Sequence, residues 1–332
     1  MERVARLSVQ ERSELFLETA TEKATTSFVV EKDFWVTWVL SRLFQEPQLA
    51  QLLTFKGGTS LSKVYRLIER FSEDIDLILD WRVLGDEDPF AQRSRTKQEQ
   101  FNKALNMRAQ QYIAGGLLTL VKEAFDGVCG CSVDNDDPHV ININYPAAFS
   151  DDYLRPEVRL EIGPLASWLP HESRRISCYA AEAFPDIFEQ HECMVRVLKA
   201  ERTFWEKATI LHHEVHRPED SPQPPRYSRH YYDLAMMAKS PVKEQALADT
   251  ELLARVVEFK QRFYPRGWAK YELAQPDTLQ LVPGRYLLAS VRSDYRKMEN
   301  MIFGEVPDFD EILVVLQRLQ EEINTVTLST ST

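Results

Sequence analysis

The sequence is poor in glycine and contains no long apolar run. Only 11 of its 332 residues are glycine, so we expect most of the chain to form regular structure, mainly helix. No apolar stretch approaches the roughly 18 residues that a membrane-spanning helix needs. The N-terminal segment is charged and leads into no apolar core, unlike a secretory signal. These absences predict a cytoplasmic protein that does not associate with membranes.

Cysteine is also scarce, and its spacing is not typical of a metal site. Cys129 and Cys131 are separated by one residue, whereas zinc knuckles usually have two between their cysteines. Cys178 and Cys193 are isolated in the sequence. We therefore expect reduced thiols rather than a structural metal or a disulfide.

The sequence has fewer positively charged residues than negatively charged ones. The chain has 40 Lys and Arg against 51 Asp and Glu, which gives a net charge of −11. A protein that coats nucleic acid non-specifically needs a basic surface, so this class is disfavoured. An enzyme that holds only the end of an RNA through a local basic patch remains compatible with the charge.

Two aspartates share one face of a predicted β-strand. Asp74 and Asp76 alternate with apolar residues, so we expect their side chains about 6–7 Å apart along the strand. Like charges this close would repel each other, and a bound Mg²⁺ removes that conflict. Mg²⁺ also binds triphosphate oxygens in nucleotidyl transfer. An isolated Asp-x-Asp is more often ordinary strand polarity, so the interpretation depends on its neighbours.

A third carboxylate lies on another predicted strand, Pro156–Ile162. Glu161 alternates there with apolar residues, and beside the first strand it could serve as a third metal ligand or as a base. The segment His139–Tyr145 alternates in the same way. We expect these two segments to form a hairpin around the turn at Asp151 and Asp152.

A glycine turn precedes the aspartates. Gly57–Ser60 follows a predicted strand, Leu52–Lys56, and opens a helix expected from Thr59 to Glu69. Glycine lets the backbone approach a ligand closely, and N–H groups at a helix start favour phosphate. The spacing fits neither a Walker A loop nor a dinucleotide fingerprint, and a turn that needs positive φ is the simpler explanation. The order strand, glycine turn, helix and Asp-x-Asp strand is far more specific than the glycine turn or the Asp-x-Asp motif alone. This combination favours nucleotidyl transfer.

Five motifs occur in an order known from one enzyme family. They lie at Glu31–Phe34, Phe55–Lys63, Arg70–Leu77, Phe204–Lys207 and Arg229–Leu234. With them the chain resembles the polymerase-β-like nucleotidyltransferase superfamily, and more closely the AbiEii/AbiGii toxin family, which includes the MenT-type toxins. The resemblance extends over residues 31–234, and the C-terminal hundred residues carry no recognised motif.

The expected fold is α+β. A small mixed β-sheet of nucleotidyltransferase type follows a helical N-terminal segment and precedes a helical C-terminal lobe. We expect residues 1–190 to form the nucleotidyltransferase-like lobe with its N-terminal helices. Residues 191–332 are expected to form the helical lobe that completes the active-site cleft, with the NTP in the cleft.

The resemblance also implies roles for individual residues. Asp74 and Asp76 would hold the metal, Lys207 would reach the phosphates, and Asp233 would complete the site. The nucleotide-binding residues would be Lys56, Gly57, Gly58, Thr59, Ser60, Lys63, Arg70, Ser72, Lys207 and Arg229. His230 departs from the pattern, because relatives often have Asp at this position.

Simpler explanations exist for some of these residues. Lys207 lies beside an apolar helix stripe, where a lysine either extends towards solvent or meets an anion. Asp233 could simply pair with Arg229 one helical turn before it. His212 and His216 are also one turn apart, but the motif is not His-Glu-x-x-His, and histidines near a helix end complement its dipole.

A basic segment near the C-terminus could form an RNA-binding face, although a solvated helix face is the better explanation for each of its residues taken singly. Its residues are Arg285, Tyr286, Arg292, Tyr295, Arg296 and Lys297.

The resemblance implies a toxin of a toxin–antitoxin or phage-defence system, neutralised by a cognate antitoxin encoded nearby. The expected reaction is Mg²⁺-dependent transfer of NMP from an NTP to an RNA 3′-OH, at the tRNA acceptor end, which blocks translation. Two alternatives stay open. The enzyme could modify a protein or a small molecule, or the chain could be a catalytically inactive nucleotide-binding regulator.

Overall fold

The structure, a computed structural model, describes residues 1–70, 72, 74–149, 156–164 and 169–326. The chain forms two compact units. The first comprises Met1–Val64 and Ser72–Leu198, and the second comprises Tyr65–Phe71 and Lys199–Thr332. These units differ from the predicted boundary after residue 190. Residues 192–198 belong to the first unit because they form a strand of its sheet.

Within the described residues, the first unit contains a seven-stranded mixed sheet in the order β3-β4-β5-β2-β1-β7-β6. The strands are β1 (Leu53–Lys56), β2 (Asp74–Leu79), β3 (Gly130–Val133), β4 (Val140–Asn144), β5 (Glu157–Gly163), β6 (His171–Ser177) and β7 (Glu192–Leu198). Strand β2 runs parallel to β5, and β1 runs parallel to β7, whereas the other neighbouring pairs are antiparallel. The prediction of an α+β fold with a mixed sheet is confirmed.

Eight α-helices of the first unit precede the strands or lie between them along the described chain. They are α1 (Glu2–Ala5), α2 (Val9–Glu22), α3 (Ser27–Gln45), α4 (Pro47–Leu52), α5 (Gly57–Lys63), α6 (Arg95–Tyr112), α7 (Leu118–Phe125) and α8 (Tyr179–Ala183). Helix α2 begins with the predicted capping box, in which Ser8 and Glu11 exchange side-chain and backbone hydrogen bonds. Helix α3 is mostly buried and packs against β5 and β7.

Side-chain alternation divides the sheet into an apolar and a polar face. On β2 and β5, Ile75, Leu77, Leu160 and their apolar neighbours are buried, whereas the charged residues Asp74, Asp76, Arg159 and Glu161 are half-buried. Strands β4 and β5 pair antiparallel, which confirms the predicted hairpin. The predicted turn at Asp151 and Asp152 lies outside the described residues.

Helix α5 is shorter than predicted. It ends at Lys63 instead of continuing to Glu69, and Arg66 has a φ of 52°, in the left-handed region that interrupts a helix. Residues 65–71 belong to the second unit, where the Glu69 carbonyl accepts the N–H of Phe303 at 2.6 Å. Contacts distant in sequence therefore override the local helical pattern here.

The second unit is helical, as predicted. Its helices are α9 (Ala200–Val215), α10 (Ser228–Ala238), α11 (Val242–Ala248), α12 (Thr250–Phe263), α13 (Arg285–Met298) and α14 (Phe309–Thr325). Helix α9 packs against α10, α11 and α12, which explains why so many of its residues are buried. Among the described residues, no helix is both long and apolar enough to cross a membrane.

Candidate active site

The three predicted site carboxylates lie on the polar face of the sheet. Strands β2 and β5 are parallel neighbours in which Asp76 pairs with Glu161. Because residues paired across adjacent strands point to the same side, both carboxylates share one face, on strands about 4.8 Å apart. Asp74 is two residues before Asp76 and shares the same face. The sheet register thus brings together the three side chains that the sequence analysis singled out.

Arg159 belongs to this group, although the sequence analysis did not identify it. It pairs in register with Asp74, and its Nε atom lies 3.7 Å from a carboxylate oxygen of Asp74. Its Nη1 atom lies 3.6 Å from Asp134. The side chain of Asn142 donates a hydrogen bond to Asp134 and, with neighbouring backbone N–H groups, lowers the pKa of that carboxyl to about 2. Alternation with Glu161 on β5 was a sequence signal that could have revealed Arg159.

Gly57 lies directly against Asp76. Its φ of 80° is in the left-handed region, and a Cβ at this position would be 1.8 Å from a carboxylate oxygen of Asp76. Any side chain here would collide with that carboxylate. The glycine is therefore required by its backbone conformation and by its closeness to Asp76.

The hydroxyl groups after the glycine turn are used within the first unit. Thr59 donates a hydrogen bond to the carbonyl oxygen of Asp74, and Ser60 donates to that of Gly57 at 2.8 Å. Both residues are buried. Ser72 is half-buried, and its carbonyl oxygen lies 3.5 Å from the Thr59 hydroxyl. In this structure Thr59 fixes the start of β2 relative to α5.

The two lysines of the glycine motif have different surroundings. Lys56 is the register partner of Asp76 and is half-buried. The ammonium group of Lys63 pairs with Asp33 and lies 4.8 Å from the ring centroid of Tyr179. The structure therefore places Lys56 on the carboxylate face and uses Lys63 to connect α5 with α3.

The motif at Glu31–Phe34 holds several segments of the first unit. The Glu31 carboxylate accepts backbone N–H groups of Ala148 and Phe149 at 2.7 and 3.0 Å. The neighbouring Lys32 donates to the carbonyl oxygen of Glu157, the first residue of β5. Together with the Asp33–Lys63 pair, one turn of α3 contacts the segment after β4, the start of β5 and the end of α5. We name Glu31, Lys32 and Asp33 the α3 brace.

In the second unit, Asp233 is the centre of a buried ion cluster with Arg70 and Lys207. Arg70 donates two hydrogen bonds to the carboxylate, at 2.6 and 2.8 Å, and Lys207 lies 2.7 Å from it. Burial tends to raise the pKa of Asp233, but the two positive charges outweigh burial and hold the pKa well below its usual value. The alternative partner Arg229 is therefore not needed to explain Asp233. Lys207 therefore pairs with an anion, the Asp233 carboxylate, and does not extend towards solvent.

His230, the departure from the family pattern, is adjacent to this ion cluster. Burial and the positive charges of Lys207 and Arg229 hold the pKa of His230 well below its ordinary value of 6.5. The imidazole is consequently neutral at physiological pH. A neutral histidine here adds no charge to the cluster, whereas an aspartate would add a negative one.

The donor set on the carboxylate face suits a magnesium ion. Within the described ranges, no group of three or more His, Cys, Asp and Glu side chains forms a metal-binding cluster. Mg²⁺, however, is usually held by one or two carboxylates, with water and substrate phosphates as the other ligands. Asp74 and Asp76 provide such a pair of hard oxygen donors, and Glu161 lies in register beside them.

The other sites considered in the sequence have structural explanations. The Nε2 atom of His212 contacts the Lys270 carbonyl at 3.1 Å, and its Nδ1 atom accepts the Gln280 N–H at 3.1 Å. Both ring nitrogens are thus occupied by the backbone. In the basic C-terminal segment, Tyr295 is buried, and its hydroxyl donates to Pro307. The prediction that Tyr295 contributes to an exposed RNA-binding face is wrong.

Comparison with known proteins identifies the class of enzyme. Residues 38–315 match the family described as "Nucleotidyl transferase AbiEii toxin, Type IV TA system", which is well over half of the chain. The protein is a nucleotidyltransferase, a class of enzyme that uses an NTP and a divalent metal. It belongs to the AbiEii family of toxins, as the sequence motifs predicted, and a type IV toxin–antitoxin system includes an antitoxin as partner.

One similar solved structure is MenT4, a nucleotidyltransferase toxin from Mycobacterium tuberculosis H37Rv. The TM-score is 0.42 and the sequence identity 17%, over 96% of this chain and 98% of that chain. No curated protein matches the sequence.

Proposed function

We propose that this toxin uses Mg²⁺ to transfer NMP from an NTP to the 3′-OH of an RNA, at the tRNA acceptor end. The observation that carries the proposal is the sheet register that puts Asp76 opposite Glu161, with Asp74 beside them and Gly57 against Asp76. Loss of a free acceptor end would stop translation until the cognate antitoxin neutralises the enzyme. NTPs and tRNA both occur in the cytoplasm, so we assign the reaction to that compartment.

The reaction is an in-line displacement at the α-phosphate. The RNA 3′-oxygen forms a new bond to the α-phosphorus, and the bond from this phosphorus to the bridging oxygen of the β-phosphate breaks. Pyrophosphate leaves, and the hydroxyl proton passes to a base. Glu161 is on the face where this base is needed, and it serves in that role or as a further metal ligand.

Asp74 and Asp76 would hold Mg²⁺, which would lower the pKa of the attacking hydroxyl and neutralise charge on the phosphates. Gly57 allows the backbone of the glycine turn to lie next to Asp76, and no side chain intrudes there. Arg159 orients Asp74 from the neighbouring strand.

The buried ion cluster supports an anion-binding role for Lys207. Arg70 and Lys207 place two positive charges on the Asp233 carboxylate, and Arg229 adds its positive charge near Lys207. Several cations close together create a local positive potential, which favours the binding of a phosphate. We assign Lys207, together with Arg229, to the β- and γ-phosphates of the NTP.

Transfer of label from each α-labelled NTP to purified tRNA tests the proposal. We expect Mg²⁺-dependent labelling of the tRNA 3′ end, and a loss of at least about 100-fold in Asp74→Asn and Asp76→Asn. Asp86→Asn is the matched control, because Asp86 is exposed and lies outside the five motifs. Its rate should equal that of the unchanged protein.

The outcome identifies the acceptor as well as the activity. Label in protein or in a small molecule, with none in RNA, would replace the proposed acceptor with another. Toxicity that persists in an Asp76→Ala variant would show that the chain acts as a nucleotide-binding regulator and would overturn the catalytic proposal.

A further inference from the structure

The polar face of the sheet continues beyond the carboxylates onto β1, β7 and β6. Lys56 pairs with Asp76 and therefore points to the carboxylate face. Phe55 pairs with Val197, so both point to the apolar face, and Arg196 beside Val197 points the other way. Arg196 shares the carboxylate face with Lys56.

Strand β6 extends this face to the edge of the sheet. Ser173 pairs with Arg196, so Ser173 and Arg175, two residues further, share its face. The side chain of Arg175 is 74% exposed. Arg174, by contrast, pairs with Val195 and points to the opposite face. Two neighbouring arginines on one strand thus face opposite sides of the sheet.

Lys56, Arg196 and Arg175 form a straight diagonal, which we name the cationic diagonal. Each step crosses one strand and moves two residues along it, a distance of about 8 Å between successive Cα positions. Continued by the same step beyond Lys56, the line reaches Asp74 on β2.

Each cation of the diagonal has an acidic group near it. Glu192 lies 3.7 Å from Arg175, and both side chains are well exposed. An exposed pair of this kind contributes little and competes weakly with another anion. Asp80 acts electrostatically on Arg196. Lys56 has Asp76 as its register partner, so the diagonal brings its three cations to one face of a protein whose net charge is −11.

We propose that the cationic diagonal binds the phosphate backbone of the RNA strand whose 3′ end reaches the carboxylates. This inference rests on the proposed function and adds the path of the acceptor. A polyanion that approaches an acidic protein needs a local positive surface, and this one leads to Asp74. A single-stranded end fits better than a duplex, because a line of single cations follows one backbone only.

The two arginines of β6 provide a matched test. We expect Arg175→Ala to weaken binding of bulk tRNA about two- to fivefold at low salt, because one phosphate contact is lost. The slope of log affinity against log salt should fall by about 0.7, the value for one contact to a single strand. Arg174→Ala removes the same charge from the same strand on the other face, and should change neither quantity.

Binding is measured without NTP, so that it does not depend on catalysis. Adding Arg196→Ala to Arg175→Ala should lower the salt slope by about a further 0.7. In the transfer reaction, Arg175→Ala should raise KM for tRNA and leave KM for the NTP unchanged. Because Arg175 is exposed, its replacement should not alter the folded fraction.

Equal effects of Arg174→Ala and Arg175→Ala, or no effect of either, would overturn the proposal. So would a result in which Arg175→Ala leaves tRNA binding intact but abolishes neutralisation by the antitoxin, since the surface would then belong to a protein partner. If Arg174→Ala and Arg175→Ala transfer NMP to RNA at equal rates, the proposed role of the cationic diagonal is wrong, and the proposed function still stands. If tRNA binding depends on Arg175 but no NMP is transferred to the tRNA, the proposed function is wrong, and RNA binding by the cationic diagonal still stands.

Discussion

Asp233 has no exposed surface, yet it carries a negative charge between two cations. Taking such charges out of water is costly, and the cost is recovered only while every partner is present. Asp233→Asn would remove the carboxylate charge that Arg70 and Lys207 share. We expect it to lower the free energy of unfolding by about 3–5 kcal/mol, measured by urea denaturation.

Lys207→Met is the informative comparison. It removes one positive charge, keeps most of the side-chain volume and leaves Asp233 its bidentate partner Arg70. The loss of stability should therefore be clearly smaller than in Asp233→Asn, whereas transfer activity should fall because the phosphates lose a cation. A larger stability loss in Lys207→Met than in Asp233→Asn would contradict this account of the ion cluster.

Among the elements, α3 has the clearest structural role, through the α3 brace. Glu31 is fully buried and accepts the N–H groups of Ala148 and Phe149. In Glu31→Gln one acceptor oxygen becomes an NH₂ group, so one buried N–H faces another donor. We expect the free energy of unfolding to fall by about 1–3 kcal/mol, the usual cost of an unsatisfied buried group.

Glu18→Gln is the control for this change. Glu18 lies on α2 and is exposed, so the same substitution there should stay within about 0.5 kcal/mol of the unchanged protein. Urea denaturation of both variants measures the difference. Similar values for the two variants would show that the brace contributes nothing beyond ordinary surface polarity.

Some elements could be predicted from the sequence because their residues alternate in burial. Strands β2, β4 and β5 show apolar and polar residues at alternate positions, and this pattern located Asp74, Asp76 and Glu161. Strand β7 has the same alternation and was overlooked. Strand β6 lies at the sheet edge with Ile176 as its buried residue, so it has almost no apolar pattern to detect.

The partners of the site residues could not be predicted in this way. Arg70 and Asp233 are 163 positions apart, and local spacing carries no information about such a contact. The helix expected to include Glu69 ends at Lys63, because the following segment joins the second unit. Family motifs identified which residues are special, whereas the tertiary fold determines what each of them touches.

For the whole molecule, the histidines make stability depend on pH. Of the seven histidines in the sequence, five have a pKa lowered from the ordinary value of 6.5, with burial as the largest cause. They are His171, His212, His213, His216 and His230. Since the unfolded chain binds more protons than the folded one below pH 6.5, we expect stability to fall as the pH is lowered from 7 to 5.

His212 allows this dependence to be tested with one substitution. Burial lowers its pKa to about 4, and its Nδ1 atom accepts the N–H of Gln280, so a proton there would break a hydrogen bond. A shift of this size alone accounts for a loss of about 2 kcal/mol between pH 7 and pH 5. His212→Gln keeps one donor and one acceptor but does not titrate.

The free energy of unfolding of His212→Gln should therefore fall less steeply over this pH range than that of the unchanged protein. The slope, not the absolute stability, is the measured quantity, so a general destabilisation does not obscure the result. His191→Gln is the control for the substitution itself, because His191 is exposed. Identical slopes for all three proteins would show that His212 titrates alike in the folded and unfolded states, which its burial and its two backbone contacts should prevent.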